Sequence, residues 1–398
     1  MNRPRARLDF LLSYTARAVT IPRALLWLLF LLLAERQIES WNPKDNLSTL
    51  GSRFHSNLLH ISRLARAPSF TKPSSVSETE ATSPPQAAAT PNFSLNNQVS
   101  WPSGPSLRLP DDPRIFIVEE DENKRSWIYR SEHFDFVSNA PLRRHVIREF
   151  ATLFELTYLY CQKLPFNLSR ANHSDESQKL QVQLIEDYTH YVARGGAPGS
   201  GGVYLSDVDL VLVPFEGLGL KVSHGGYALD HLRTNQTLMH EATHMLMRGP
   251  LLKDGWFVEG AAEYVATIPI RQNALLLSRH ATSIKNYVTS AGYGGRGGHG
   301  LGTKIELSPL QDFMEADYDD YQATPHAYPY ALLLFHYFAH YDGEKDGKRL
   351  QNYVNALYNG ADNKKAREQL LAGRSYQALE QQFSKSCRKL GIELMFRD

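Results

Sequence analysis

The sequence predicts an α+β fold in which a mixed α/β half comes first and a mostly helical half follows. Short runs of strand-like residues recur between residues 113 and 213, and one long helical periodicity interrupts them. From Leu232 onward the periodicities are helical. The 398 residues are 42% apolar and 21% charged, which is a globular composition with enough apolar surface for one large or two smaller cores.

The first forty residues are predicted to be an export signal. Their apolar run, Ala24–Ala34, has 11 residues. As a helix it would be about 16 Å long, against about 30 Å for the hydrocarbon core of a membrane. That length suits a secretory signal peptide, whereas a single-helix membrane anchor would need the helix to extend back past Arg23. Since the five arginines that precede the apolar run hold the N-terminus in the cytoplasm, we expect the rest of the chain to be exported.

Residues 41–112 are predicted to form a disordered linker, and the folded domain is predicted to span residues 113–398. The linker is rich in proline, serine and threonine, most clearly from about residue 66 onward. Such a composition cannot bury enough apolar surface to offset the entropy that is lost on ordering. We therefore expect the linker to hold the domain away from a membrane or cell wall.

In the first half of the domain, the patterns predict a sheet with one long helix packed on it. The predicted strands lie at 115–118, 127–129, 134–137, 180–184, 203–205 and 210–213. The helix extends from about Leu142 to Leu164. Its apolar stripe consists of Val146, Phe150, Leu153, Thr157 and Tyr160.

In the second half, one helix is predicted to begin near Thr234 or Asn235 and to end at Gly249. A second helix follows after a short connection, and a third is predicted over 331–341. A glycine-rich loop lies at 291–302.

Charge and cysteine content exclude several classes of function. The formal net charge is +1, from 43 basic and 42 acidic side chains, so no overall field favours nucleic acid. Two cysteines, Cys161 and Cys387, are too few for a cysteine-rich zinc site. Either they form one disulfide in an exported protein, or each is a small buried apolar residue.

The chemistry is predicted to reside in the run His240-Glu241-Ala242-Thr243-His244. Residues at i and i+4 share one helix face, so both imidazoles can reach a single Zn²⁺ ion. Glu241 is displaced by one residue, which puts its carboxylate beside the metal, where it can take a proton from water. Alone, the pattern is also compatible with a chance match on a surface helix.

The next helix strengthens the metal hypothesis. Its sequence, Gly255-Trp-Phe-Val-Glu-Gly-Ala-Ala-Glu-Tyr264, carries Glu259 and Glu263 one turn apart. If the two helices pack together, Glu259 points at the ion. Two histidines, one carboxylate and a water are the arrangement of a catalytic zinc site.

These two helices resemble those of the gluzincins, in particular a peptidase-MA-like branch with Trp-x-x-Glu-Gly-x-Ala-Glu-Tyr after the zinc helix. The resemblance covers about 113–398 and implies a thermolysin-like zincin with a cleft between its halves. It implies that His240, His244 and Glu259 bind Zn²⁺ and that Glu241 is the general base. Glu263 is then the carboxylate that orients the first histidine. The reverse assignment, with Glu263 as ligand and Glu259 as structural, stays open.

Two related classes fit less well. Metzincins need glycine and histidine where this chain has Met247 and Pro250. Zinc aminopeptidases carry Gly-x-Met-Glu-Asn upstream, and 203–215 lacks it. In zincins generally, the strand before the metal helix pairs with an extended substrate, and Leu210–Val213 is the candidate strand. An ordinary core strand is an equally good interpretation.

An oxyanion donor is predicted near the start of the third helix. Gluzincins commonly place a tyrosine there; Tyr328 matches that pattern best and His326 second. The remaining histidines, including His224, His280, His299 and His336, are interpreted as surface or core residues.

The sequence therefore predicts an exported zinc peptidase that acts on a peptide or protein substrate. One alternative is an inactive protein of the same fold, a pseudopeptidase that binds peptides at the cell envelope. Another is a non-enzymatic envelope protein in which the histidine motif is accidental.

Overall fold

The described part of the chain lies between residues 101 and 397. The structure, a computed structural model, describes residues 101–168, 179–223, 226–229, 236–247, 249–292 and 298–397. The predicted export signal, the linker up to residue 100 and the two candidate caps Thr234 and Asn235 lie outside the described residues. Among the residues described, no helix has both the length and the apolar character that a bilayer crossing requires.

The strands of the described residues form four sheets. They are β1 Leu107–Arg108, β2 Phe116–Asp121, β3 Ser126–Arg130, β4 Phe134–Ser138, β5 Leu180–Ile185, β6 Val203–Leu205, β7 Leu210–Pro214, β8 Leu220–Ser223, β9 Gly226–Leu229, β10 Ile270–Arg271, β11 Ala274–Leu275, β12 Lys304–Leu307 and β13 Glu393–Phe396.

The helices alternate with these strands and then dominate. They are α1 Arg144–Lys163, α2 Tyr188–Ala193, α3 Gln236–Leu246, α4 Gly255–Ala266, α5 His280–Thr289, α6 Leu310–Glu315, α7 Tyr318–Ala323, α8 Ala327–His340, α9 Lys348–Tyr358, α10 Asn363–Leu371 and α11 Tyr376–Lys389. Short 3₁₀ turns lie at Gly249–Lys253 and Leu277–Arg279.

The main sheet has six strands in the order β2-β3-β4-β5-β7-β6. β4, β5 and β7 are parallel, while β2, β3 and β6 join antiparallel. β7 lies between β5 and β6, so both of its edges are paired. The prediction that Leu210–Val213 binds an extended substrate is therefore wrong, because a paired strand has no free backbone groups to offer. The strand at this end of the sheet is β6.

The predicted α+β class is confirmed, and the helix predicted at about 142–164 is α1. Its stripe is buried in the core at Val146, Phe150, Thr157 and Tyr160, while Leu153 is partly buried. A helix of this length with apolar residues on one face must cover that face, and here α1 packs against α3 and α4 as well as β4. The long helix thus supports the two helices that carry the predicted metal ligands.

The second half contains more strand than the sequence predicts. β11 pairs with both β1 and β10, and β12 pairs in parallel with β13 near the end of the chain. These strands have two to four residues each, too few for an alternating pattern to register against helical periodicity.

Residues 101–112 are part of the packed structure, although the sequence assigns them to the linker. Trp101 donates its indole N–H to the Asp346 carbonyl, 3.1 Å away, and its ring contacts Phe166 and Tyr264. Leu107 and Arg108 pair with β11. Trp101 and Leu107 are only two apolar residues in a proline-rich stretch, so they hardly change its composition. This explains why the composition places the start of the folded domain at residue 113.

The two cysteines are not joined in a disulfide. Cys161 and Cys387 are both free and both buried. Of the two interpretations, the structure supports the small buried apolar residue.

Candidate functional site

The first wall of the candidate metal centre is one face of α3. His240 and His244 are one turn apart, and their rings meet edge to face with centroids 4.5 Å apart. Their Nε2 atoms lie 2.9 Å from each other. The opposite face of α3 is apolar and buried through Leu238, Met239 and Met245, so the core fixes the direction in which the imidazoles point.

The second wall is α4, which is buried along its whole length. Of its twelve residues, only Glu259 and Glu263 are charged. Burying a carboxylate is unfavourable unless the charge is paired, so each must find a partner within the core. Both find it on α3. Glu259 Oε2 lies 3.2 Å from His240 Nε2 and 3.4 Å from His244 Nε2, and Glu263 Oε1 lies 3.3 Å from His240 Nδ1.

Three atoms with lone pairs therefore converge on one point. The Nε2 atoms of His240 and His244 and the Oε2 atom of Glu259 are 2.9, 3.2 and 3.4 Å apart. In a tetrahedral zinc site with bonds of about 2.0–2.1 Å, ligand atoms are separated by about 3.3 Å. The separations fit a metal ion, and Glu259 Oε2 is buried with no hydrogen-bond partner in the described structure, as an atom reserved for a ligand would be. The donor set suits Zn²⁺.

Glu263 stands on the other side of the first imidazole. It approaches Nδ1 of His240, whereas Glu259 approaches Nε2. A carboxylate at Nδ1 holds the ring so that Nε2 is free to face an ion. Of the two carboxylates on α4, the structure thus brings Glu259 to the point of convergence and Glu263 to the orienting position.

The charges at this centre are strongly coupled. Burial alone would raise the pKa of Glu259, but the nearby charges of His244 and His240 hold it far below its ordinary value. For His240, burial acts to lower the pKa, and the carboxylates of Glu259 and Glu263, at 3.2 and 3.3 Å, overcome it and raise the pKa well above its ordinary value. The centre keeps its carboxylate ionised, which is the form that binds a cation.

A second group of side chains has similar composition but different chemistry. Glu132, His133 and Glu155 also place one candidate ligand atom each within 4.8 Å of one another. Here Glu155 Oε1 accepts hydrogen bonds from Ser131 Oγ and from the His133 backbone N–H, and Oε2 pairs with His133 Nδ1 at 2.5 Å. Both carboxylate oxygens of Glu155 are engaged in stabilising the turn between β3 and β4. The role of this group is therefore structural.

Glu241 lies beside the convergent atoms and outside the group that could ligate a metal. Its Oε2 accepts a hydrogen bond of 2.8 Å from the backbone N–H of Tyr204, in strand β6. In an antiparallel pair, alternate residues turn their N–H away from the partner strand, and Tyr204 is such a residue. The end strand of the sheet therefore fixes the orientation of Glu241 with a backbone amide.

A cavity of about 370 Å³ opens over these residues. His240, Glu241 and Glu263 lie on one side, Tyr287 and Tyr328 contribute to another, and the loop at 199–202 forms a wall. The lining comes from both halves of the domain, at the place where the sequence predicts a cleft.

The loop wall is tightly constrained. Tyr191 on α2 exchanges a hydrogen bond of 2.6 Å with Ser200 Oγ, and Tyr188 accepts from the Gly199 N–H at 2.5 Å. A Cβ atom at Gly217 would lie 2.1 Å from the carbonyl oxygen of Gly201, so two backbone segments touch directly behind the wall. The glycines allow the backbone itself to border the cavity beside Glu241.

Of the two predicted oxyanion donors, the structure brings one to the site. Tyr328, at the start of α8, lines the cavity, and its ring lies 6.3 Å from that of His240. His326 is exposed just before α8, with a left-handed backbone (φ 61°), and no hydrogen bond in the described part of the chain joins it to the site. Helix α8 begins at Ala327, earlier than the predicted residue 331. Tyr328 therefore lies in its first turn, where its side chain is near the candidate site.

Two site residues were not singled out from the sequence. Tyr318 on α7 donates its hydroxyl to Glu259 Oε1 at 3.3 Å, and Gln322, one turn later, donates to the Tyr328 hydroxyl at 3.3 Å. The run Asp317-Tyr-Asp-Asp320 carried a usable signal, because Asp317 caps α7 by accepting from the Asp320 N–H. A predicted helix there would have placed Tyr318 and Gln322 on one face.

The other histidines divide into two groups. His280 and His336 are buried in the core, as one of the two interpretations had it, and His340 joins them. His299 is partly buried and contacts Tyr287, a residue of the cavity wall, so it lies close to the candidate site. His224 lies outside the described residues.

Comparisons with known proteins give no family. No family model matches the chain, and no curated protein matches it either.

Proposed function

We propose that the chain is a zinc-dependent peptidase of the gluzincin type, with a thermolysin-like arrangement of sheet, helices and cleft. The observation that carries the proposal is the convergence of His240, His244 and Glu259 from two adjacent helices beside a cavity that Glu241 lines. If the histidine motif had occurred by accident, there would be no reason for both charged residues of a second, fully buried helix to face these histidines.

In this proposal, His240, His244 and Glu259 hold Zn²⁺, and Glu263 orients His240. Bound zinc supplies a Lewis acid that lowers the pKa of water toward neutrality and polarises a carbonyl group. The remaining catalytic work falls to side chains of this chain.

Glu241 accepts the proton of the attacking water and later passes it to the leaving amine. The Tyr204 N–H holds one carboxylate oxygen, so the other is free to face the cavity. A carboxylate fixed in this way does not have to be reoriented during the reaction, which is the benefit of preorganisation.

A peptide substrate fits the surroundings of these residues. β6 is the end strand of the main sheet, and it borders the cavity through the preceding loop at 199–202. An extended peptide can lie in the cavity along this loop, above Glu241. Tyr328 then faces the carbonyl oxygen on which negative charge develops.

The test combines metal analysis with turnover. Wild type should bind about one Zn²⁺ per chain and cleave members of a mixed peptide library. Glu241→Gln should keep its zinc and its fold while turnover falls by about 10²–10⁴, because the amide cannot accept a proton. Glu149→Gln, on α1 and exposed, is the matched control and should behave as wild type.

Each alternative predicts a different result. A pseudopeptidase binds zinc and peptides without cleaving them, and Glu241→Gln then changes nothing measurable. A protein with an accidental motif binds less than roughly a tenth of an equivalent of zinc. Cleavage by Glu241→Gln at the wild-type rate would assign the activity to another group.

We also propose that the domain acts outside the cytoplasm, on the strength of the arginines and apolar run in the first forty residues. Cell fractionation measures this directly. Recovery of the whole population from the cytosol would contradict it.

A further inference from the structure

Three tyrosines surround the predicted metal centre, and their hydroxyl groups have different partners. A phenol has one proton to donate and two lone pairs with which to accept. Only a phenol whose proton is free can donate to a substrate oxygen. The partners of Tyr318, Tyr321 and Tyr328 therefore decide which of them can serve the reaction.

Tyr318 uses its hydroxyl proton in a hydrogen bond to the predicted metal centre itself. Its hydroxyl donates to Glu259 Oε1, on the carboxylate whose other oxygen faces the two histidines. The ring is 49% exposed, so Tyr318 extends from the surface of α7 down to the buried ligand. With its proton engaged, it restrains Glu259 and is not available to a substrate.

Tyr321 belongs to the wall. Its hydroxyl has no hydrogen-bond partner among the described residues, so position and not a partner excludes it. It is fully buried, and a Cβ atom at Gly255 would lie 2.9 Å from its ring, so the start of α4 packs directly on it. It cannot move toward the cavity without opening that contact.

Tyr328 is the one of the three that lines the cavity. Its oxygen accepts from Gln322 Nε2 at 3.3 Å, and no acceptor among the described residues takes its proton. Gln322 is one turn from Tyr318 on the same face of α7, and its amide also contacts the Tyr318 hydroxyl. The amide thus bridges a phenol whose proton is engaged and one whose proton is free.

We propose that Gln322 is a positioning residue for Tyr328: by donating to the phenol oxygen, it turns the hydroxyl proton toward the substrate carbonyl in the cavity. The inference rests on the proposed peptidase function. It adds that α7, through Tyr318 and Gln322, holds both the third metal ligand and the oxyanion donor, so that these two groups are set in place by a single helical face.

Two substitutions of Gln322 separate donation from bulk. Gln322→Met keeps the length of the side chain and removes the donor. Gln322→Glu keeps the shape and supplies an acceptor, which takes the Tyr328 proton away from the cavity. Gln311→Met is the matched control, since Gln311 is also an exposed helical glutamine, bonded at 3.3 Å to Glu315.

Both changes are made in wild type and in Tyr328→Phe, and kcat, KM and zinc content are measured. Removing one oxyanion donor costs about 10²–10³ in turnover, so Tyr328→Phe should lose that much. Gln322→Glu should lower kcat by about 10-fold or more, and Gln322→Met by less, with KM and zinc content unchanged. In the Tyr328→Phe background, neither change should have a further effect.

A second measurement does not need turnover. A peptide phosphonamidate carries a tetrahedral anion where the reaction develops one, and its Kd for the zinc-loaded protein can be found by calorimetry. We expect Gln322→Glu to weaken it by about 10-fold or more, and Gln311→Met to leave it unchanged.

The outcomes are distinct. If wild type neither cleaves peptides nor binds the phosphonamidate, the proposed function is wrong and this inference with it. If wild type does both and the Gln322 variants match it, only the inference is overturned. Equal losses in the Tyr328 and Tyr328→Phe backgrounds also overturn it, because Gln322 would then act by some route other than Tyr328.

Discussion

Two groups of histidines lie in the second half of this domain, and they differ in their neighbours. His240 and His244 on α3 face two carboxylates of α4. His280, His336 and His340 form a cluster with Tyr264. The Nε2 atoms of His280 and His340 contact carbonyl or hydroxyl groups, and the ring nitrogens of His336 have no hydrogen-bond partner among the described residues. Both groups are largely removed from water, yet the pKa of His240 is raised while the pKa values of the cluster are lowered.

In the cluster, burial dominates. It lowers the pKa of His280 to about 3 and that of His340 to about 4, and it lowers the pKa of His336 well below its ordinary value. At the candidate centre, the carboxylates outweigh burial and raise the pKa of His240. Burial alone thus yields neutral structural imidazoles, and a cationic ligand is favoured only where buried carboxylates accompany them.

The strongest test of this difference is removal of one histidine from each group. His244→Ala should reduce zinc from about one equivalent to less than roughly a tenth, because too few ligands remain to hold the ion. His336→Leu should keep its zinc. Metal analysis after dialysis reads both. Equal zinc contents in the two variants would remove the distinction between the groups.

The carboxylates on α4 should also differ from each other. Glu259→Ala should lose zinc, whereas Glu263→Ala should weaken binding by about 10–100-fold, since it only orients His240. Competition with a chelator of known affinity measures both. If Glu263→Ala lost all its zinc and Glu259→Ala none, their roles would have to be exchanged.

The smallest expected effect is on acid stability, and it belongs to the buried cluster. The unfolded histidines bind protons near pH 6.5, while His340 and His280 resist until about pH 4 and pH 3. Between these values the unfolded chain binds more protons, so the free energy of unfolding falls as the pH falls. The slope is about 1.4 kcal/mol per pH unit for each such histidine.

His336→Leu removes one of these groups at similar volume, so its unfolding free energy should fall less steeply between pH 6.5 and pH 4.5 than that of wild type. Gln311→Met, exposed on α6, removes no titratable group and should leave the slope unchanged. Denaturant titrations at several pH values measure it. A slope for His336→Leu as steep as that of wild type would show that His336 is protonated in the folded state or does not differ from the unfolded chain.

Much of this architecture could be predicted from local patterns. Strands β3, β4 and β5 and helix α1 follow from alternation and a 3.6-residue stripe, because each spans at least five residues, enough for its period to register. Pairing order could not be predicted. Whether Leu210–Pro214 lies inside the sheet or at its end depends on where Val203–Leu205 pairs, which is a long-range property of the fold.

The candidate site divides in the same way. His240, His244, Glu259 and Glu263 could be located because i,i+4 spacing on two helices fixes which face they share. Tyr318 and Gln322 could not, since their role depends on how a six-residue helix lies across α4 and α8. The structure does not bring His326 to the site, for a related reason. The sequence pattern places this residue near the start of α8, but the backbone turn there directs its side chain into solvent.

Gly260 follows Glu259 on α4, and a Cβ atom there would lie 2.7 Å from the Ala331 carbonyl oxygen of α8. The helix that carries the proposed third ligand and the helix that carries Tyr328 therefore touch backbone to backbone, with no side chain between them to be exchanged. For anyone redesigning this cavity, or fitting an inhibitor to it, the span from ligand to phenol is a fixed dimension. Room for a different substrate has to be found at lining positions away from this contact, such as Gln236 and Tyr287.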